Sequence, residues 1–158
     1  MHYEITTVNG DIVLIDVEDY KKLSKYKWYT VENQTGIVYV VRYANHKTIA
    51  MHREIMSPPK GKHVDHIDRN GLNNLRSNLR ICTPSQNLCN AKKRRDNTSG
   101  FKGVSFYKRT GKWEVSIKKD YKTKHLGHYA TAEEAAKVYD KAAKELHGQY
   151  AVLNFPDA

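Results

Sequence analysis

Apolar and polar residues alternate with period two over much of the first fifty positions. Residues 3–8 and 12–15 flank Asn9-Gly10, a dipeptide that favours tight hairpins, so two antiparallel strands are predicted. Asp16 suits the N-cap of a short helix carrying Val17, Tyr20 and Leu23. Residues 38–43 and 48–52 are two more strand-like runs, joined by the polar Ala44-Asn45-His46-Lys47. Ser57-Pro58-Pro59-Lys60-Gly61 must be a loop, because its prolines and glycine break either period.

The pattern then changes. Residues 63–82 show little hydrophobic period, and positions 65–74 hold five asparagines or aspartates. That composition predicts a long loop between a short strand at His63-Val64-Asp65-His66 and another near Leu79-Arg80-Ile81-Cys82. A helix should follow, with Thr83 as N-cap, Pro84 in the first position and Gln86 completing a capping box. It is expected to reach about Arg95, ahead of a linker over residues 96–100. Residues 103–107, 113–118 and 124–129 alternate like a small antiparallel sheet. Thr131 and Glu134 open a helix that Gly148 ends, and Ala135, Tyr139, Ala142 and Leu146 mark its packing face. The expected fold class is α+β, with residues 1–96 and 97–158 as two domains and no internal repeat.

Composition narrows the function. The 158-residue chain has a net charge of +10 and two cysteines, Cys82 and Cys89. Two cysteines make neither a disulfide framework nor a four-thiolate zinc site, so reduced thiols are expected. No apolar run approaches the length of a membrane span, and Met1-His2-Tyr3-Glu4 does not begin a secretory signal. A cytoplasmic protein, in a bacterium or a phage-infected cell, is the expectation. Most of the charge is local: residues 91–125 carry a net +9. Such clustering points to a polyanionic partner.

The candidate chemistry lies in the asparagine-rich region. Phosphodiester cleavage needs a nucleophilic water, a base to deprotonate it and positive charge near the leaving oxygen. A histidine is a suitable base. A carboxylate with an amide oxygen is a hard-oxygen donor set, suited to Mg²⁺ or Mn²⁺. Asp65 and His66 alternate on one strand, so they address opposite faces. Asn87, near the start of the capped helix, could face back to the same ion.

The run His63-Val64-Asp65-His66-Ile67-Asp68, Asn73-Asn74-Leu75, Asn78-Leu79-Arg80 and Thr83-Pro84-Ser85-Gln86-Asn87 resembles the HNH nucleases. It is most similar to their phage and intron-encoded homing-endonuclease branch, whose core is a ββα-metal finger. The resemblance covers roughly residues 50–95. It implies Asp65 and Asn87 as metal ligands, His66 as general base and Asn78 as the residue that pins the loop and orients the base. Arg53, in Met51-His52-Arg53-Glu54-Ile55-Met56, matches a family pattern as a phosphate contact or brace. His63 lies nearby without an assigned role.

A second pattern comprises Gly103-Val104, Gly111-Lys112-Trp113, Leu126-Gly127, Thr131-Ala132-Glu133-Glu134-Ala135-Ala136, Tyr139-Asp140 and Asn154-Phe155. It resembles the plant ethylene-response-factor (Apetala-type) DNA-binding domain over about residues 99–156. The resemblance implies a three-stranded sheet lying in the major groove. Lys102, Lys108, Arg109, Lys112, Trp113, Lys118 and Lys124 would be DNA-binding residues. Ser105, Lys118 and His125 stand where that family usually has Arg, Arg and Trp. Lysine lacks arginine's fork to guanine, so DNA binding should survive while the plant target sequence should not.

Together these readings predict a metal-dependent HNH endonuclease acting on double-stranded DNA, addressed by a sheet-type DNA-binding domain. One centre per chain implies a monomer that nicks one strand. Two rivals are a non-catalytic DNA-binding regulator and an RNA-directed nuclease.

Overall fold

Period-two alternation shapes the first sheets. Residues 1–33, 36–93 and 96–156 are described by a computed structural model. β1 (His2–Thr6) and β2 (Ile12–Asp16) pair antiparallel. The connection is longer than a two-residue hairpin: Thr7 N–H donates to Asp11 O, and Gly10 N–H to Thr7 O. The first strand therefore ends at Thr6, short of the expected residue 8. α1 (Val17–Leu23) follows from Asp16, whose side chain does not cap it. That carboxylate instead accepts the Arg76 N–H at 2.7 Å, tying the helix start to the asparagine-rich loop.

β3 (Tyr29–Glu32), β4 (Val38–Ala44) and β5 (Lys47–Ala50) form an antiparallel sheet in that order. Asn45 and His46 both have positive φ, as a two-residue hairpin turn between right-twisted strands requires. The strand expected over 48–52 stops at Ala50, and Met51–Met56 is a helix, α2. Helical spacing buries Met51, His52 and Ile55 on one face, whereas strand alternation would send His52 away from Met51. Ser57 ends α2 in the left-handed region.

β6 (His63–His66) and β7 (Leu79–Cys82) pair antiparallel, as the sequence predicts, with Asp65 opposite Arg80 and His66 opposite Leu79. Between them the loop runs alongside β2: Leu14 N–H donates to Leu72 O, and Asn74 N–H to Leu14 O. Gly71 lets the same loop press against β4 as well, since a Cβ there would lie 1.8 Å from Val38 O. Ile5, Val13, Ile15, Leu23, Trp28, Val40, Met51, Ile55, Val64 and Leu79 are the shared core.

α3 spans Pro84–Cys89, so the helix expected to reach Arg95 ends six residues earlier on the chain; Arg94 and Arg95 lie outside the described residues. Past Cys89 the sequence turns to Asn90 and lysines and offers no further apolar face. Contacts divide the chain between Pro84 and Ser85. The Lys102 ammonium explains why the end of α3 goes with the second unit: it donates to the Cys89 and Ala91 carbonyls at 2.7 and 2.6 Å. The expected linker is an ordered turn. Ser99 Oγ donates to Val104 O at 2.8 Å, and Gly100 N–H to Asn97 Oδ1 at 2.8 Å.

In the second unit β8 (Val104–Tyr107), β9 (Lys112–Lys119) and β10 (Lys122–Tyr129) form a sheet with β9 in the middle. α4 (Ala132–His147) lies over one face, opened by the expected Thr131–Glu134 capping box and closed at Gly148. Val104, Val115 and Ile117 meet Ala135, Ala136, Tyr139 and Ala143 in the core. Small residues on α4 allow the close approach. So does Gly103 (φ +77°), where a Cβ would lie 2.0 Å from the Tyr139 ring. Buried Asp140 accepts the Asn154 and Phe155 N–H groups, fastening the C-terminal segment to α4. The fold is α+β, as the sequence predicts.

Candidate functional site

The last residues of β6 and the loop after them carry the first candidate chemistry. Alternation sends Asp65 and His66 to opposite faces of the hairpin. Both are buried. Asp65 sits beside its cross-strand neighbour Arg80, whose Nε and Nη2 donate to Oδ2 at 2.9 and 2.7 Å. The pair is almost wholly out of solvent, with 12% side-chain exposure for Arg80 and 8% for Asp65, so each charge depends on the other. Arg80 therefore fixes the carboxylate in place.

His66 faces Asn74 and His52. Asn74 donates its amide to Gly71 O at 2.9 Å, which turns its Oδ1 toward His66 Nε2 at 3.3 Å. Nε2 is then the N–H donor and Nδ1 carries the lone pair of the neutral ring. Burial lowers the His66 pKa below 6.5; the Asn74 hydrogen bond and the Asp68 and Asp65 charges oppose that without reversing it. The ring is thus neutral near pH 7 and able to accept a proton.

Asn78 closes the loop. Its Oδ1 accepts the Asp68 N–H at 3.0 Å, and its Nδ2 donates to Asp68 Oδ1 and Asn73 O, each at 2.8 Å. Its backbone carbonyl takes the Ile67 N–H at 2.8 Å. One buried asparagine thus joins both ends of the loop. Asp68 would be raised by its partial burial, but hydrogen bonds from the Asn70 N–H and the Asn73 and Asn78 side chains outweigh this and lower its pKa.

Arg53 is exposed on α2 and donates to Lys62 O at 3.2 Å. His63 is exposed at the start of β6. Asn87 lies on α3, on the second unit's side of the division. Cys82 and Cys89 are free and buried, and burial pushes the Cys82 thiol up to about 11. Neither is a reactive thiolate.

Two residues of this cluster went unassigned in the sequence reading. Asn74, fully buried, orients His66. His52, on α2, has its ring 5.0 Å from that of His66, and its buried Nδ1 has no hydrogen-bond partner. Burial, then His66 and Arg53, hold its pKa at about 3. The unfolded chain protonates near 6.5, so below that pH the unfolded state binds more protons and stability falls as pH drops. The loss at pH 5 should be about 2 kcal/mol. Urea unfolding of the first unit, followed by Trp28 emission in a Trp113→Phe background, measures it. His52→Phe should remove most of the difference between pH 7 and pH 5. An undiminished difference would acquit His52.

The second candidate surface is the sheet face opposite α4. Register places Lys112, Glu114, Ser116 and Lys118 of β9 on that face, with Ser105 and Tyr107 of β8 beside them. Lys108 and Arg109 follow in the turn, with the Arg109 guanidinium 5.5 Å from the Tyr107 ring centre. Trp113 points the other way and is half-buried beside Phe106 against the core. Lys124 pairs with core residue Ile117, so it too belongs to the helix side, at the sheet edge. Lys102 is engaged with the Cys89 and Ala91 carbonyls.

Comparison with known proteins agrees with both halves. Residues 57–89 match the HNH endonuclease family and residues 99–149 the AP2 domain. An uncharacterized HNH endonuclease of Acanthamoeba polyphaga mimivirus is 34% identical over 151 residues, 92% of this chain and 75% of that protein. Protein 3.8 of Escherichia phage T7 is 39% identical over 93 residues, covering 59% of this chain and 76% of its own length. An AP2-like ethylene-responsive transcription factor of Arabidopsis thaliana is 44% identical over 61 residues, but these are 13% of its length and 39% of this chain. No solved structure matches. The β6–β7 hairpin with its asparagine-rich loop, and the three-stranded sheet under α4, are the features of this chain that lie within the matched nuclease and AP2 segments. The chain belongs to the HNH endonuclease family and carries an AP2 domain as its second part.

Proposed function

We propose that the chain hydrolyses a phosphodiester of double-stranded DNA, one strand per encounter, with a divalent ion at Asp65 and Asn87 and its AP2 domain as the DNA anchor. The observation that carries this reading is the buried, neutral His66, oriented by Asn74 at the mouth of a loop that Asn78 closes, in a chain of the HNH endonuclease family.

The donor set fits the ion. Asp65 offers a carboxylate held rigidly by Arg80, and Asn87 offers an amide oxygen, both hard donors of the kind Mg²⁺ and Mn²⁺ prefer. When bound, such an ion supplies positive charge beside the scissile phosphate. His66 Nδ1 accepts a proton from the attacking water. The water oxygen bonds to phosphorus, the bond to the 3′ oxygen breaks, and the departing 3′ alkoxide takes its proton from solvent water, while His66 returns its own proton to solvent. The products are 5′-phosphate and 3′-hydroxyl ends. Asn78 keeps the loop from shifting the base, and Arg53 braces the phosphate. Residues 1–96 perform the chemistry and residues 97–158 provide address and affinity. With its HNH motif over residues 57–89 supplying one centre per chain, a monomer nicks one strand at a time.

EDTA should stop nicking of supercoiled plasmid. Asp65→Asn and Asn87→Ala should each shift the Mg²⁺ titration to higher concentration. Asparagine suits position 65 because removing the side chain would strand the buried Arg80 charge. Full activity in EDTA would overturn the metal-dependent reading. The likeness of the second half to plant transcription factors favours one rival, a non-catalytic DNA-binding regulator. Absence of nicking in Mg²⁺, with DNA binding intact, would establish it.

A further inference from the structure

We propose that Glu114, His125 and His128 form a second metal site, for a zinc-class ion, on the open face of the AP2 sheet. Their ligand atoms all lie within 4.8 Å of one another, the one such group of three found among the described residues.

The backbone brings them together against ordinary strand spacing. His125 and His128 are three residues apart on β10, which would normally send them to opposite faces. A bulge between His125 and Gly127 changes the register. His125 then stands opposite Ser116, and His128 opposite Glu114, two residues away on the same face of β9. A bulge re-aims side chains, and here it gathers two imidazoles around one carboxylate. Gly127, at φ +122°, supplies the backbone conformation the bulge needs.

The geometry is close to that of a three-ligand site. His125 Nδ1 lies 3.2 Å from Glu114 Oε1, and the two imidazole rings are 4.8 Å apart. Ligands about 2.0–2.1 Å from a tetrahedral zinc ion stand about 3.3 Å from each other, so small rotamer changes suffice. His₂Glu is an open zinc set, with a fourth position left to water or to an incoming oxygen. The consequence is electrostatic. With neutral imidazoles the cluster puts one negative charge between Lys112 and Lys118; a bound divalent ion reverses it to positive. A phosphate oxygen could also take the fourth position, so zinc should strengthen binding to DNA, a step that rests on the DNA-binding reading above.

The test is calorimetric titration of the full chain with ZnCl₂ in excess Mg²⁺. Wild type should bind one zinc ion that the His125→Ala/His128→Ala double variant binds at least about 100-fold more weakly, since even supporting residues of a metal site are worth 10–100-fold. Glu114→Gln should also weaken it. All three side chains are at least partly exposed, so the variants should keep the wild-type circular dichroism. Asp65→Asn should retain the zinc ion; its loss there would assign the metal to the nuclease centre and overturn the proposal. So would no zinc binding by wild type, or equal binding by the double variant. Zinc binding that depends on the three residues but leaves DNA affinity unchanged would uphold the site and remove its role toward DNA, whatever becomes of the nuclease reading.

Discussion

His66→Ala is expected to lower the rate of DNA nicking by roughly 10²–10⁴-fold, the usual contribution of a positioned general base. DNA affinity should stay near wild type, because His66 is only 5% exposed and offers bound DNA little contact surface. The lone pair on Nδ1 exists because Asn74 holds the proton on Nε2, so the same logic extends to Asn74 as a positioning residue. Plasmid nicking and gel-shift affinity are read on the same preparations. Alanine leaves a cavity and strips Asn74 of its partner, so His66→Gln, which keeps the bulk, accompanies it, and Trp28 emission reports folding. Near wild-type nicking by a folded His66 variant would remove this residue from the mechanism.

The parts legible in the sequence were those whose signal is local. β6 and β7 fall on the predicted residues because a short alternating run bounded by asparagine-rich loop has few alternatives. The α4 capping box is likewise a four-residue statement, and both of its hydrogen bonds are present. α2 was not legible: Ala50 offers no capping side chain, and six residues hold less than two full turns of pattern. The helix forms because Met51 and Ile55 reach one core, which is tertiary information. β3 carries a weak alternation and is fixed by pairing with β4.

The site divides in the same way. Asp65, His66, Asn78 and Asn87 stood out by order and spacing. His52 and Asn74 carried no assigned role, since one reaches His66 from a helix read as a strand and the other is one of several asparagines in the same run. The register of β9 and β10 was also invisible. Alternation alone cannot reveal a bulge, and the bulge decides that His125 joins His128 while Lys124 turns to the helix side.

The same register sorts the basic residues into two sets with different expected effects on DNA binding. Replacing Lys108, Arg109, Lys112 and Lys118 together by glutamine should flatten the dependence of log DNA affinity on log salt by roughly 4, about 0.9 for each phosphate no longer neutralised. Over a roughly fourfold rise in salt, that slope is worth about 10²-fold in affinity. Lys112 and Lys118 stand on the open sheet face, and Lys108 and Arg109 extend it through the turn. Lys102→Gln with Lys124→Gln should change the slope by less than about 1, because Lys102 is occupied by the Cys89 and Ala91 carbonyls and Lys124 belongs to the helix side. Equal charge is removed per residue in both sets, so the comparison separates groove contact from net charge. Equal slope changes per residue would mean that DNA senses only overall charge. An unchanged slope in the quadruple variant would mean that this sheet is not the main DNA anchor. The nuclease chemistry itself should survive at low salt, since Asp65, His66, Asn78 and Asn87 are all retained in the quadruple variant.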